Sequence, residues 1–223
     1  MADEKNKILY VHGLGGGANG RISNILRNEF PEYEIDAPEI PIKPKEALEF
    51  VNDLIRKTDY DVVIGSSLGA YYLMYCRLLP KKVLINPAIG GGDYIEKFIG
   101  KGEQEFRDNR EDGSKTYIID DDFINDLNDM KYYLDEEDDV VTRVVISDQD
   151  ELFGSQNVDR CKEIYADYCI SVIHSSHSVE DSIVVGEVVP VIKDLIEFDV
   201  TKTAVFIGPY LDFDDIYEED WVK

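Results

Sequence analysis

The sequence predicts an α/β protein, a three-layer α/β/α sandwich around a small, mostly parallel sheet. Three observations carry this expectation. Short apolar runs alternate with longer stretches of helical spacing along most of the chain. Runs such as ILYV, DVVIG and KVLI are apolar on both faces, as strands are when helices cover them on either side. The three histidines all fall where such runs end, and in parallel sheets ligands bind outside the carboxyl ends of the strands.

Residues 7–12, KILYVH, read as the first buried strand, followed by a glycine-rich turn and a helix over 18–28. Residues 33–40 are extended and lead into the proline-spaced segment PEIPIKP. The spacing of Ala47, Leu48, Val51, Leu54 and Ile55 predicts a helix over 45–57. A strand at 61–65 passes at once into a helix at 68–79, and KVLIN at 82–86 is a further strand, ended by Pro87 and the glycines at 90–92. From 93 to 139 the pattern loosens into an acidic, partly helical segment carrying seven aromatics between Tyr94 and Tyr133. Strand character returns at 140–147, then a helix at 157–166, a strand at 169–174 and a helix at 188–198. Beyond lies an acidic tail, 199–223, whose run TAVFIGPYL is a candidate edge strand at a homodimer contact. The chain thus divides into one domain over 1–198, with an insertion at about 90–139, and the tail.

A length of 223 residues fits one domain with a substantial core. The formal net charge of −24 is unevenly spread. Residues 93–139 hold 17 acidic against 6 basic side chains, and residues 197–223 hold 8 against 2. Phosphate-rich partners need clustered Lys and Arg, so this field argues against nucleic acid and anionic membrane. A solvated face that aids solubility is the simplest meaning of so many acids. No apolar run is long enough to span a bilayer and MADEKNK is unlike a secretory leader, so a soluble, cytoplasmic protein is expected. Cys76, Cys161 and Cys169 lack CxxC spacing and read as reduced, structural thiols.

The chemistry centres on Gly65-Ser66-Ser67-Leu68-Gly69, which fits G-x-S-x-G with Ser67 in the middle. In that motif the nucleophile sits on a tight strand-to-helix turn with its Oγ projecting above the sheet. The residues two before and two after the nucleophile pass close to each other and must both be small, a need that Gly65 and Gly69 meet. The helix beginning at Leu68 aims its N-terminus at the serine, which favours negative charge developing there. The pentapeptide alone is weak, since an ordinary βα turn also uses small residues. Its position between a strand and a helix strengthens it.

A serine nucleophile needs a base, and each histidine has a place. His12 opens the HG turn in HGLGG, which with Gly13 is of the kind that supplies an oxyanion donor. The backbone amides of Leu14 and Leu68 are the expected donors, with His12 orienting the loop or serving structure alone. His177 is preferred over His174 as the base, because it lies further past the last strand on a loop of small residues. The acid should follow the penultimate strand, where SDQDEL offers Asp148, Asp150 and Glu151. Asp150, just beyond the strand, is preferred.

YVHG, APEIPIKPKEALEFV, GSSLGAYY, NPA, DQDEL and HSSHSVED, in this order over residues 7–198, resemble the α/β-hydrolase superfamily. The NPA segment and the Asp-Glu pair resemble more narrowly the small YqiA-like bacterial serine esterases. The resemblance implies a Ser67–Asp150–His177 triad acting on a small-molecule ester or related acyl substrate, without metal or organic cofactor. It also implies a small, nearly all-parallel sheet. Two departures bear on substrate preference: Gly90-Gly91-Gly92 stand where an arginine or proline is expected soon after NPA, and Ser175-Ser176 replace a glycine-rich pair. The insertion is expected to form a partial cap whose aromatics either line a pocket or fill the core. A thioesterase or amidase with the same triad stays open, as does a non-catalytic protein that uses its acidic surface to bind a basic partner.

Overall fold

The computed structural model describes residues 6–76, 81–130 and 141–198. Six strands form one wholly parallel sheet in the order β2-β1-β3-β4-β7-β8. These are β1 (Lys7–Val11), β2 (Glu34–Asp36), β3 (Val62–Ser66), β4 (Lys82–Ile85), β7 (Thr142–Ser147) and β8 (Ile170–Ile173). Helices α1 (Arg21–Glu29), α2 (Pro44–Lys57), α3 (Leu68–Met74) and α6 (Gln156–Ile164) alternate with them. The three-layer reading of the sequence is correct.

Successive strand residues point to opposite faces, and each face builds its own core. Leu9, Val11, Val63, Leu84, Val144 and Ile146 join residues of α2, α3 and α6 on one side. Ile8, Tyr10, Val62, Ile64, Val83, Ile85 and Val145 meet α1 and the C-terminal helix on the other. Fully burying one such aliphatic side chain contributes about 1.5–3 kcal/mol. The edge strand β8 departs from this rule, with Val172 half exposed, because nothing described covers its outer face.

Register brings the chemistry to one edge. Val11 pairs with Gly65, Ser66 with Ile85, Ile85 with Val145, and Ser147 with Ile173. The residues that follow these pairs therefore leave the sheet side by side: His12, Ser67, Asn86, Asp148 and His174.

Several elements differ from expectation. The insertion contains α4 (Gly91–Phe98), an antiparallel hairpin of β5 (Gly102–Glu105) and β6 (Thr116–Ile119), and α5 (Asp121–Met130). The hairpin escaped the sequence reading because GEQE is polar and largely exposed, and TYII is a four-residue run in which only Ile119 is buried. Helix α4 starts inside the glycine turn, with Gly90 at φ 118° as its N-cap. The last helix begins earlier than its pattern, as α7 (Asp181–Ile183), a π-helical stretch (Val184–Val188) and α8 (Val189–Glu197). Gly186 and Pro190 hide that continuity in the sequence. The end of the predicted third helix, Tyr132, Tyr133 and the tail with TAVFIGPYL lie outside the described residues. All three cysteines are free and buried. Among the described residues no helix is long and apolar enough to cross a membrane.

The tightest contact in this frame joins α3 to β1. A Cβ on Gly69 would stand 2.1 Å from the Val11 carbonyl oxygen and 2.6 Å from that of His12. Both atoms are backbone, so the helix itself must move. Gly69→Ala is expected to lower the unfolding free energy by about 1–3 kcal/mol, read as a lower midpoint in urea. An unchanged midpoint would show that α3 can shift away from β1 without loss.

Candidate active site

Ser67 sits between β3 and α3 at φ 53° and ψ −117°, one of two non-glycine residues described with positive φ. Such a conformation costs about 1–3 kcal/mol and persists only when its surroundings enforce it. Here the Ser67 N–H donates to the Ile85 carbonyl at 2.8 Å, and its own carbonyl accepts from Tyr71 and Ala88. Gly65 allows the turn, since a Cβ there would meet the Ala70 nitrogen at 2.6 Å. Ser66 is engaged elsewhere, 2.8 Å from the Tyr10 hydroxyl.

His177 reaches across to this serine. Its Nε2 lies 2.9 Å from Ser67 Oγ, and its Nδ1 lies 2.8 Å from Asp150 Oδ2. A carboxylate oxygen can only accept, so Nδ1–H donates to Asp150 and Nε2 accepts from the serine hydroxyl. The other Asp150 oxygen accepts from the N–H groups of Leu152 and Phe153, both at 2.9 Å. Histidine and aspartate are both buried. The structure thus brings Ser67, His177 and Asp150 together and leaves the alternatives paired with each other. His174 lies 3.1 Å from Asp148 with its side chain 82% exposed.

Two further residues hold the histidine loop. Glu151 Oε2 accepts the His177 backbone N–H at 2.9 Å. Asn86, the asparagine of NPA, donates from Nδ2 to the His177 carbonyl and to Ser147 Oγ, each at 2.9 Å. Its Oδ1 accepts from the Ser147 N–H at 2.7 Å. The bracing role of Asn86 was not read from sequence, although a polar residue at a strand's carboxyl end was the available signal. The Phe153 ring packs on the imidazole at 5.1 Å and stacks with Tyr94 at 5.8 Å.

The HG loop lies directly against the serine, as a Cβ on Gly13 would be 3.0 Å from Ser67 Cβ. The Gly13 carbonyl accepts from the Gly16 N–H at 3.0 Å and from His12 Nδ1 at 2.9 Å. A trans peptide points its N–H opposite to its carbonyl, so these two donors also fix the Leu14 N–H. His12 Nε2 accepts from the Ile40 N–H at 3.1 Å, which makes His12 a structural clamp between two loops. Among the described residues neither the Leu14 nor the Leu68 N–H has a hydrogen-bond partner.

The insertion grips this loop from outside. Arg107 donates from its guanidinium to the Leu14 carbonyl at 2.6 Å and from its backbone N–H to that of Gly15 at 2.8 Å. Asp108 accepts the Gly17 N–H, and Arg110 pairs with Glu39 at 2.6 Å while donating to the Ile40 carbonyl. Sequence reasoning missed these contacts, which join residues 93 positions apart in the case of Arg107 and Leu14. Of the insertion's aromatics, Phe123 belongs to the core, Phe98 is exposed, and Tyr117 packs beside Gly15 at the site. A small pocket beside the HG loop is lined by Leu14, Ile40, Pro41, Ile42, Leu68 and Tyr72.

A model of a family described as an uncharacterised protein family (UPF0227) matches residues 7–185. Among solved structures, mouse alpha/beta hydrolase domain-containing protein 10 is similar over 88% of this chain and 91% of its own, with 16% identity and a TM-score of 0.61. Est1E from Butyrivibrio proteoclasticus aligns over 87% and 90% of the two chains, with 16% identity and a TM-score of 0.61. The monoacylglycerol lipase of Paleococcus ferrophilus aligns over 85% and 93%, with 13% identity and a TM-score of 0.60. At such identities the likeness establishes the fold, which is that of the α/β hydrolases.

Burial lowers the His12 pKa below its ordinary value of 6.5. A depressed histidine is protonated first in the unfolded chain, so its contribution is present above the ordinary value and lost as pH falls through it. Unfolding free energies measured from about pH 7.5 down to about pH 5.5 should decline more steeply for the wild type than for His12→Gln. Identical slopes would mean that the neutral imidazole is not required.

Proposed function

The chain belongs to the uncharacterised family UPF0227, and we propose that it is a serine hydrolase that cleaves a small carboxylic ester or related acyl bond. The observation that supports this most is the unbroken hydrogen-bonded line from Ser67 Oγ through His177 to Asp150, set on a strained turn. Geometry of this kind activates a hydroxyl that is otherwise a weak nucleophile.

On this reading, Ser67 Oγ adds to the substrate carbonyl carbon while its proton passes to His177 Nε2. The carbonyl π electrons move onto oxygen, and the resulting oxyanion is received by the N–H groups of Leu14 and Leu68. Asp150 holds the imidazole in the tautomer that accepts on Nε2 and balances the imidazolium that forms. Collapse expels the alkoxide, which takes the proton from His177 and leaves as alcohol. The acyl-enzyme is then attacked by water, whose proton goes to His177. The second collapse returns that proton to Ser67 and releases the carboxylic acid. Thioesters and amides would follow the same steps with a thiol or amine leaving group.

A fluorophosphonate probe should label the wild type and leave Ser67→Ala unlabelled. Equal labelling of both would remove Ser67 from the nucleophile role. With an activated ester such as a p-nitrophenyl alkanoate, Asp150→Asn should lower kcat by about 10³–10⁴-fold, while Asp148→Asn should stay near wild type. The reverse ranking, in a steady-state assay, would assign the acid to Asp148.

A further inference from the structure

The loop that follows β4 touches both ends of the Ser67–His177 contact. Ser67 is held on one side by the Ile85 carbonyl, which accepts its N–H at 2.8 Å. On the other side the Ala88 N–H donates to the Ser67 carbonyl at 3.2 Å. Between these two ties stands Asn86, 1% exposed and at φ 45°. Its Nδ2 donates to the His177 carbonyl at 2.9 Å, and its Oδ1 accepts the Ser147 N–H at 2.7 Å. A backbone N–H only donates and a backbone carbonyl only accepts, so these two partners fix which way the amide faces. The loop is pinned further on by Asn157, which donates to the Pro87 carbonyl, and by Arg160, which donates to that of Ile89, both at 2.9 Å.

The residue type at this position is demanded twice. A left-handed backbone favours glycine, asparagine or aspartate, and of these only asparagine carries both a donor and an acceptor at neutral pH. The His177 backbone has a second tie, from its N–H to Glu151, but Glu151 is exposed and that bond competes with water. The Asn86 bond is buried.

We propose that Asn86 is a positioning residue for proton transfer: through it, the four residues from Ile85 to Ala88 hold the Ser67 and His177 backbones together and set the 2.9 Å separation of Oγ and Nε2. The inference rests on the acyl-transfer reading of Ser67. His177 takes the proton of Oγ and then gives it to the leaving oxygen, and misplacing such a group by about 1 Å costs up to about 10²-fold. The second transfer matters most for a poor leaving group, because a stable phenolate departs without a proton.

The test uses Asn86→Gly, which keeps a backbone at ease with positive φ and removes the amide. Asn86→Asp is measured beside it, since it fills the same space and replaces the donating nitrogen by oxygen. Values of kcat/KM are taken for a series of aryl acetates from p-nitrophenyl to p-methoxyphenyl, on one preparation of each protein. Any loss of folded protein then lowers every ester alike. Each variant should lose about tenfold on p-nitrophenyl acetate and about 10²-fold on p-methoxyphenyl acetate. Should the glycine variant not fold, the aspartate variant carries the comparison. An equal loss across the series, which a merely structural residue predicts, would overturn the proposal, as would no loss at all. A fluorophosphonate is applied to the wild type alongside. Labelled Ser67 with either of those overturning results keeps the serine reading and removes Asn86 from it, whereas no labelling removes both.

Discussion

The site depends on how closely α3 can lie across the end of β1. Gly69 lets the helix rest on the carbonyls of Val11 and His12 with no room for a single methyl group. That approach places the start of α3 beside the HG loop, so that Gly13 touches the Ser67 side chain. Leu14 and Leu68, from segments far apart in sequence, then line one small pocket. The strained backbone of Ser67 is the local cost of this geometry. Hydrogen bonds to Ile85 of β4, Tyr71 of α3 and Ala88 of the loop after β4 offset it.

The other half of the site is set by the register of β4, β7 and β8. Ser147 pairs with Ile173, so the loops bearing Asp150 and His177 leave adjacent strands at the same height. Asn86 then ties the end of β4 to both, through Ser147 and the His177 carbonyl. Glu151 takes the His177 N–H, so its carboxylate fixes the backbone of the residue whose ring Asp150 orients. A fully satisfied polar network of this kind allows few arrangements, because any displaced member strands a buried donor or acceptor.

Most of the sheet was legible because buried parallel strands are near-continuous apolar runs, and the elbow was legible because steric closeness demands glycine at fixed spacing. The two histidines and the acids near the last strands could be ordered by their distance past the strand ends, and the structure sorts them into the pairs His177–Asp150 and His174–Asp148. What escaped was of two kinds. The β5–β6 hairpin pairs the polar, largely exposed GEQE with TYII, of which only Ile119 is buried, so its two short strands share no periodic signal. The grip of Arg107 and Arg110 on the HG loop and on Glu39 and Ile40 is a tertiary fact with no local cause.

The insertion is best understood through the difference between its acids and its two arginines. Its ion pairs Lys101–Asp121 and Lys45–Asp126 involve exposed lysines, and pairs of that kind contribute about 0–1 kcal/mol. Its anchorage comes instead from Ile119, Phe123, Ile124 and Leu127 in the core, and from Arg110, whose pairing with Glu39 is largely removed from solvent. Breaking a buried pair strands a charge and costs more than an exposed pair ever contributes. The hairpin loop is therefore fastened to the HG loop at Leu14, Gly15 and Gly17 more firmly than the surface charge suggests. Fastened there, it holds that loop against the Ser67 turn before any substrate arrives. On the proposed reading, the site is therefore complete with no closure of the insertion required.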